Sequence, residues 1–269
     1  SDRVLRGQMK ANKEPVKIWP LNFFFRRGTF KEHRFAEDAD GIIQHYRRLG
    51  YVRAQVGRPE LTTLEDSVDG KKRYVKMRIP ISEGIRYRLG EMTFEGVEIM
   101  RLDAVRRQFE IEEGDYYNEK VIRDGIERAQ MMYGSSGYME FVAFPDLSPR
   151  DQVVEDDGNV RRIDAPPIVD VTIRAEEGEQ YFVGRIDFSG NTTTRDKVVR
   201  RELRVFEGGV FNTEMLKISV RRLNQLGYFI PLEEDAVDVE KTEGKDNEVN
   251  LSIPLEEENR NQISFGMGY

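Results

Sequence analysis

The chain contains no cysteine, a single tryptophan and two histidines among its 269 residues. Without cysteine there are neither disulfides nor thiolate metal sites, which suits a reducing cytosol and an oxidising compartment equally. His33 and His45 lie twelve positions apart, outside the spacing of paired helix ligands, so no metal and no cofactor are expected. Two histidines offer no nucleophile triad, and no carboxylate pair sits inside an apolar run where a general acid would be tuned. Glu207-Gly208-Gly209 lacks the Lys-Ser/Thr of a phosphate-cradling loop and reads as a turn. The expectation is a protein that is not an enzyme. Long hydrophobic runs are also missing, so neither a transmembrane helix nor a signal peptide is read. Basic residues are outnumbered 42 to 49, a net charge of −7 that disfavours phosphate-backbone binding. Nucleic acid is not an expected partner.

What the chain does contain is a stretch written twice, 94 residues apart. Residues 83–118 and 177–212 match without a gap at 13 of 36 positions, among them the glycines at 84, 90, 96 and 114, Tyr87, Phe94 and Arg106-Arg107. A period of this length signals a tandem array of small domains. A partial third copy stands in front, where Asp2-Arg3-Val4-Leu5-Arg6 aligns with Asp196-Lys197-Val198-Val199-Arg200. The chain is therefore expected to begin at a helix of its first repeat, the preceding strand being cut away.

Each copy carries a helix with one apolar stripe: Ala39, Ile42, Ile43, Tyr46 and Leu49; Ile122, Ile126, Ala129 and Tyr133; Leu216, Val220, Leu223 and Leu226. Each stripe ends at a glycine followed by an aromatic (Gly50-Tyr51, Gly137-Tyr138, Gly227-Tyr228), the glycine closing the helix and the aromatic opening a strand. The last strand of each copy alternates strictly: Val75, Met77, Ile79, Ile81; Val169, Val171, Ile173, Ala175; Val249, Leu251, Ile253, Leu255. The fold class is α+β: a tandem array of β-α-α-β-β domains, each a three-stranded mixed sheet packed on two helices. The expected boundaries are 1–82, 83–176 and 177–258. Pro80 and Pro254 near the ends of the last strands require ladder pairing to have stopped there.

Two segments depart from this grammar. The first copy inserts about twenty residues that include Trp19, Phe23 and Phe24, read either as extra core or as an exposed apolar patch. The second carries a polar excursion from Ser148 to Asp164, turning at Asp156-Asp157-Gly158-Asn159. Thr193 and Asp196 stand in capping-box spacing before a helix. After the third copy, Ile263, Phe265, Met267 and Tyr269 alternate with small or polar residues, the dyad pattern of a membrane-barrel strand, so 259–269 is read as the start of a first barrel strand.

Phe188-Ser189-Gly190-Asn191-Thr192, Val198-Val199-Arg200-Arg201-Glu202-Leu203, Phe206-Glu207-Gly208 and Arg222-Leu223-Asn224-Gln225-Leu226-Gly227-Tyr228-Phe229 resemble the polypeptide-transport-associated (POTRA) domains of outer-membrane β-barrel assembly factors. The resemblance covers essentially the whole chain. It looks like the third to fifth domains of a five-domain array, although Gly96 is followed by Val97 where the family often has Asn.

This resemblance implies a periplasmic arm at the outer membrane that receives unfolded outer-membrane proteins and scaffolds accessory lipoproteins. The membrane itself would be reached through a C-terminal barrel absent here. The arm of a secretion or organellar translocation pore is the alternative. Clients would add as strands to the second strand of each copy, which implicates Val52, Arg53, Ala54, Gln55 and Val56 in the first repeat. In the second repeat the same reading implicates Met139, Glu140, Phe141 and Val142. Tyr228–Leu232 ranks last because Pro231 lacks a donor. Lipoprotein docking would involve Arg200 and Glu207, which otherwise read as a solvated helix charge and a turn carboxylate. Arg106 and Glu113 stand at the same positions of the second copy.

Overall fold

The three apolar stripes form helices in the computed structural model, which describes residues 2–12, 31–66, 73–154, 160–162, 164–233 and 235–258. The expected Trp19, Phe23 and Phe24 patch and the expected barrel strand lie outside the described residues. The chain forms two compact units: Ser1–Thr93, Phe109–Gly125 and Pro145–Ile173 make one, and Phe94–Gln108, Ile126–Phe144 and Arg174–Tyr269 the other.

The first repeat contains α1 (Asp2–Gln8), a 3-10 turn (Glu32–Arg34), α2 (Phe35–Arg48), β1 (Gln55–Val56), β2 (Glu60–Asp66), β3 (Arg73–Arg78) and β4 (Ile81–Ser82). β2 pairs antiparallel with β3, and β1 with β4. The expected single strand 75–81 is broken at Pro80, whose carbonyl accepts from Gly57 N–H at 2.9 Å before pairing resumes at Ile81. Its core is small: Met9, Ile42, Tyr46 and Ala54 are buried, with Met77, Ile79 and Ile81 packed against them. Val75, on the apolar face of the alternating strand, is exposed, and Leu49 leaves the helix stripe for solvent. Asp38 takes the stripe's place one turn before Ile42 and is fully buried.

The second repeat runs β5 (Arg88–Glu95), α3 (Leu102–Arg106), α4 (Glu119–Gly134), β6 (Val142–Pro149), a short hairpin of β7 (Gln152–Val154) and β8 (Val160–Arg162), and β9 (Ile168–Glu176). The third runs β10 (Phe182–Ser189), α5 (Asp196–Arg200), α6 (Thr213–Leu226), β11 (Asp238–Lys241) and β12 (Glu248–Pro254). Their sheets have the same order, β5-β9-β6 and β10-β12-β11, with the last strand in the middle. β12 runs parallel to β10 and antiparallel to β11. The polar excursion of the second repeat is the β7–β8 hairpin, with Gln152 opposite Arg162 and Val154 opposite Val160.

Alternation along β12 and into the residue after it buries Val249, Leu251, Ile253 and Leu255 in one core with Val199, Leu216, Val220 and Leu223 from the helices. Pro254 sits in this central strand without a lost bond. The ladder with β11 ends at Ser252, and on the β10 side the donor to Ser189 O is Leu255 N–H, at 2.8 Å. Proline is tolerated where the backbone N–H has no partner to serve.

Candidate functional site

The glycines that close the long helices take left-handed backbone, with φ of 95° at Gly50, 96° at Gly137 and 62° at Gly227. The aromatics after them do not open strands, correcting the sequence expectation. Tyr51 N–H returns to Tyr46 O and Tyr138 N–H to Tyr133 O, each at 3.0 Å, and a further turn follows before any strand begins. The helix end is satisfied by its own chain first, so the strand starts late.

This delay relocates the residues expected to pair with clients. Val52 and Arg53 lie in a turn, and Ala54 is buried in the first core. Gln55 and Val56 form β1 and already pair with Ser82 and Ile81. Met139 packs on the core of the third repeat, and Glu140 is bound to Lys241. Phe141 is buried and stacked on Tyr133, ring centroids 4.0 Å apart. Val142 alone of the second set lies in a strand, as the first residue of β6. In the third repeat, Tyr228–Leu232 is not the second strand. Phe229 bridges Glu257, Ile230 N–H donates to Glu256 O at 2.8 Å, and Glu258 N–H to Tyr228 O at 2.9 Å. The second strand is β11, four residues long.

Among the described residues the longest sheet edge of the second and third repeats that follows a long helix is β6, whose one neighbour is β9. Val142 and Phe144 are exposed on it, Phe144 at 62%. Beside its first half lies a groove of about 130 Å³ lined by Ile126 and Gln130 of α4 and by Phe141, Val142, Ala143 and Phe144. An open edge beside an apolar groove offers main-chain bonds and side-chain burial together. Pro145 limits the donors beyond Phe144, so Val142–Phe144 is the part suited to pairing.

The start of each following repeat is seated on a helix-closing glycine. Tyr87 N–H donates to Gly50 O at 2.8 Å and Tyr181 N–H to Gly137 O at 2.9 Å. A Cβ on Gly137 would stand 2.7 Å from Val210 Cγ1, and one on Gly50 3.1 Å from Tyr87 O. Each tyrosine hydroxyl then donates to a carboxylate that also holds a cation. Tyr87 reaches Asp151 at 3.0 Å and Arg53 joins at 2.9 Å, its guanidinium 5.2 Å from the ring centre. Tyr181 reaches Glu140 at 2.8 Å, with Lys241 on the other oxygen at 2.6 Å and 5.2 Å from the ring centre. Lys241 and then Tyr181 hold the Glu140 carboxyl below the usual carboxylate range. The tyrosines are the same repeat position, but the carboxylates are not: Asp151 comes from the polar excursion and Glu140 from the loop after α4. Neither carboxylate lies within the matched stretches 83–118 and 177–212.

The glutamate after each last strand has a recurring task. Glu83 accepts from the Tyr46 hydroxyl at 2.7 Å. Glu177, buried, accepts from the Tyr133 hydroxyl and from Glu98 N–H and Ile99 N–H at 3.0 and 3.1 Å. Burial first, then Glu177, pushes the Tyr133 phenol up, and burial with Glu83 takes Tyr46 to about 12. In the third repeat Glu257 accepts from Thr192 Oγ1, Thr193 N–H and Thr194 N–H at 2.8, 2.9 and 2.6 Å. The expected capping box of Thr193 and Asp196 is thus replaced: Arg195 is the residue before α5 and makes no side-chain cap, and Asp196 instead receives Asn191 Nδ2 at 2.8 Å.

Thr194 N–H above all, with Thr192 and Thr193, lowers the Glu257 carboxyl to about 2. A depressed carboxylate stabilises the folded chain above its ordinary pKa of 4.5 and loses that contribution as pH falls from there toward 2. The expected result is a Glu257 carboxylate whose NMR titration midpoint lies near 2. The stability difference between the parent and Glu257→Gln should shrink across that same interval. A midpoint in the ordinary glutamate range refutes the hold of Thr192–Thr194 on Glu257.

Arg200 and Glu207 meet, with Arg200 Nη1 and Glu207 Oε1 3.1 Å apart. They also engage the backbone of β10: Ile186 N–H donates to Glu207 Oε1 at 3.0 Å and Arg200 Nη2 donates to Ile186 O at 2.8 Å. The Arg200 guanidinium lies 5.1 Å from the Phe188 ring centre. The Ile186 amide, followed by Arg200, lowers the Glu207 carboxyl. Seven positions and one turn separate the two side chains in sequence, and only the fold shows that they clamp one residue.

The family model for POTRA, described as surface antigen variable number repeat, matches residues 87–178 and 181–258. The outer membrane protein assembly factor BamA of Neisseria meningitidis serogroup B is 28% identical over 271 residues, taking in 100% of this chain and 31% of that protein. The protein of the same name from Nitratidesulfovibrio vulgaris is 26% identical, with 93% of this chain and 29% of that protein covered. The chain therefore spans about 30% of the length of these curated relatives. The crystal structure of Haemophilus influenzae BamA POTRA3-5 superposes with a TM-score of 0.65 at 20% identity, covering 96% of this chain and 91% of that one, a likeness of fold.

Proposed function

Since the chain belongs to the POTRA family, whose model matches more than half of it, we propose that it is the periplasmic arm of an outer-membrane protein assembly factor. In this reading residues 1–82, 83–176 and 177–258 are three successive POTRA domains, and 259–269 open the first strand of a membrane barrel. Unfolded β-barrel clients are received by strand addition, and accessory lipoproteins dock on the third repeat around Arg200, Glu207 and the exposed Phe206. Two relatives named outer membrane protein assembly factor BamA, matched along 100% and 93% of this chain, support the assembly role.

The observation that carries client reception is the β6 edge with its adjoining groove. A strand laid along Val142–Phe144 gains main-chain bonds whatever its sequence and places alternate side chains against Phe144 and Ile126. That weak demand on sequence suits a receiver of many clients. With a photoreactive residue in place of Phe144, an unfolded barrel protein should crosslink in a reconstituted assembly, while the same probe at Phe206 should not capture it. A cross-strand contact with Phe144 is worth about 1 kcal/mol, so Phe144→Ser is expected to weaken client binding about fivefold. Equal capture at the two positions, or none at Phe144, removes β6 as the receiving edge.

A further inference from the structure

We propose that the Arg200–Glu207 pair is a side-chain stand-in for a neighbouring strand, closing an edge of β10 that would otherwise pair with a second copy of this chain. Among the described residues β10 has one strand neighbour, β12, so its other side is a sheet edge. The first part of that edge is covered by main chain. Val183 N–H donates to Gly209 O at 2.8 Å, Gly208 N–H to Val183 O at 2.6 Å, and Phe211 N–H to Tyr181 O at 2.8 Å. After Val183 the β10–β12 register shifts, and Ile186 is the next residue whose N–H and C=O both face outward. Among the described residues no main-chain group bonds to it. Glu207 accepts its N–H and Arg200 donates to its C=O, which is the pair of bonds that an adjoining strand would supply.

The edge beneath this plug is self-complementary. In an antiparallel pairing centred on Ile186, Ile186 stands opposite itself in the second copy, and Arg185 stands opposite Asp187. Within one chain these two charges already meet, Arg185 Nε and Asp187 Oδ1 being 2.7 Å apart, and both are well exposed. Symmetric pairing would re-form them as two cross-strand ion pairs, a favourable arrangement for opposed charges on a sheet. An edge of this kind is a liability that native sheets blunt with charged side chains. Here the blunting charges come from α5 and the loop after it, and they bind the edge directly.

The test uses the whole chain and residue-resolved amide exchange. In Glu207→Ala the Ile186 amide is expected to exchange roughly tenfold faster, for loss of one bond worth about 1.4 kcal/mol. Val183, bonded to Gly209, is expected to keep its protection. Arg200→Ala combined with Glu207→Ala is expected to dimerise in sedimentation velocity, and adding Asp187→Arg, which sets like charges opposite one another, is expected to restore the monomer. Unchanged exchange at Ile186 overturns the proposal. So does equal loss of protection at Val183, which would mean that the pair merely holds the loop. A double variant that stays monomeric, or a dimer indifferent to Asp187→Arg, overturns it as well.

Discussion

Gly190→Ala is expected to destabilise the third repeat by about 3 kcal/mol or more, a fall of roughly 10–20 °C in the melting temperature of a domain this small. Two costs combine. The residue has φ of 82°, where a side chain costs about 1–2 kcal/mol. A Cβ would also stand 1.8 Å from the carbonyl oxygen of Leu255, a contact that only movement of the main chain relieves. Leu255 cannot move freely, because its N–H is bonded to Ser189 O and its side chain lies in the core. Gly208 and Gly244 separate the two costs. They have φ of 79° and 77° with nothing within 4 Å of a Cβ, so alanine there pays for backbone conformation alone. Calorimetry should show Gly208→Ala losing about 1 kcal/mol. An equal loss at Gly190 would refute the steric account. Gly96, one period earlier, faces Ala175 O at 2.1 Å and is expected to behave like Gly190.

Asp38→Ala is expected to cost the first repeat about 3 kcal/mol, measured as a shift in chemical denaturation midpoint. Asp38 is fully buried, and its two oxygens accept from Lys10, Ala11 and Asn12 N–H at 2.6, 2.8 and 2.9 Å and from Asn12 Nδ2 at 2.8 Å. These bonds tie the end of α1 to α2, and Asn12 in turn bonds both Lys31 O and Lys31 N–H. Alanine leaves Asn12 with donors in a buried place, and an unsatisfied buried donor costs about 1–3 kcal/mol. Asp38→Asn is the sharper variant. It keeps the shape but turns an N–H₂ toward groups that are all donors, so it should lose nearly as much as alanine. An asparagine variant as stable as the parent would show that acceptor geometry is not what holds α1.

Both predictions rest on residues of different legibility. Gly190 and Gly96 could be picked out beforehand because the 94-residue repeat preserves them, and a turn glycine keeps its place wherever the chain folds the same way. Asp38 could not. Four residues before Ile42 on α2, it occupies a place where helical spacing calls for an apolar residue. What makes a carboxylate acceptable there is the set of amides brought in from residues 10–12. The strand ends behave likewise. Glycine followed by tyrosine marks where the helices stop, but the return of Tyr51 and Tyr138 to their own helix ends delays the strands. Most of the residues expected to pair with clients consequently fall in turns or in core, and the edge that we propose for pairing is Val142–Phe144.

The repeat, the apolar helix stripes, the alternation of the last strands and the glycines that close the helices are legible along the chain. Each of these is set by local backbone preference or by a period of 3.6 or 2, quantities carried by neighbouring residues. Which edges are open, which glycine seats the next tyrosine, and which carboxylates partner Tyr87, Tyr181 and Ile186 were decided only by the tertiary structure. A carboxylate carries no mark of its partner in its own sequence neighbourhood. Asp151 lies 64 positions from Tyr87 and Glu140 41 from Tyr181, and the pairing follows from the sheet and helices bringing those distant backbones together.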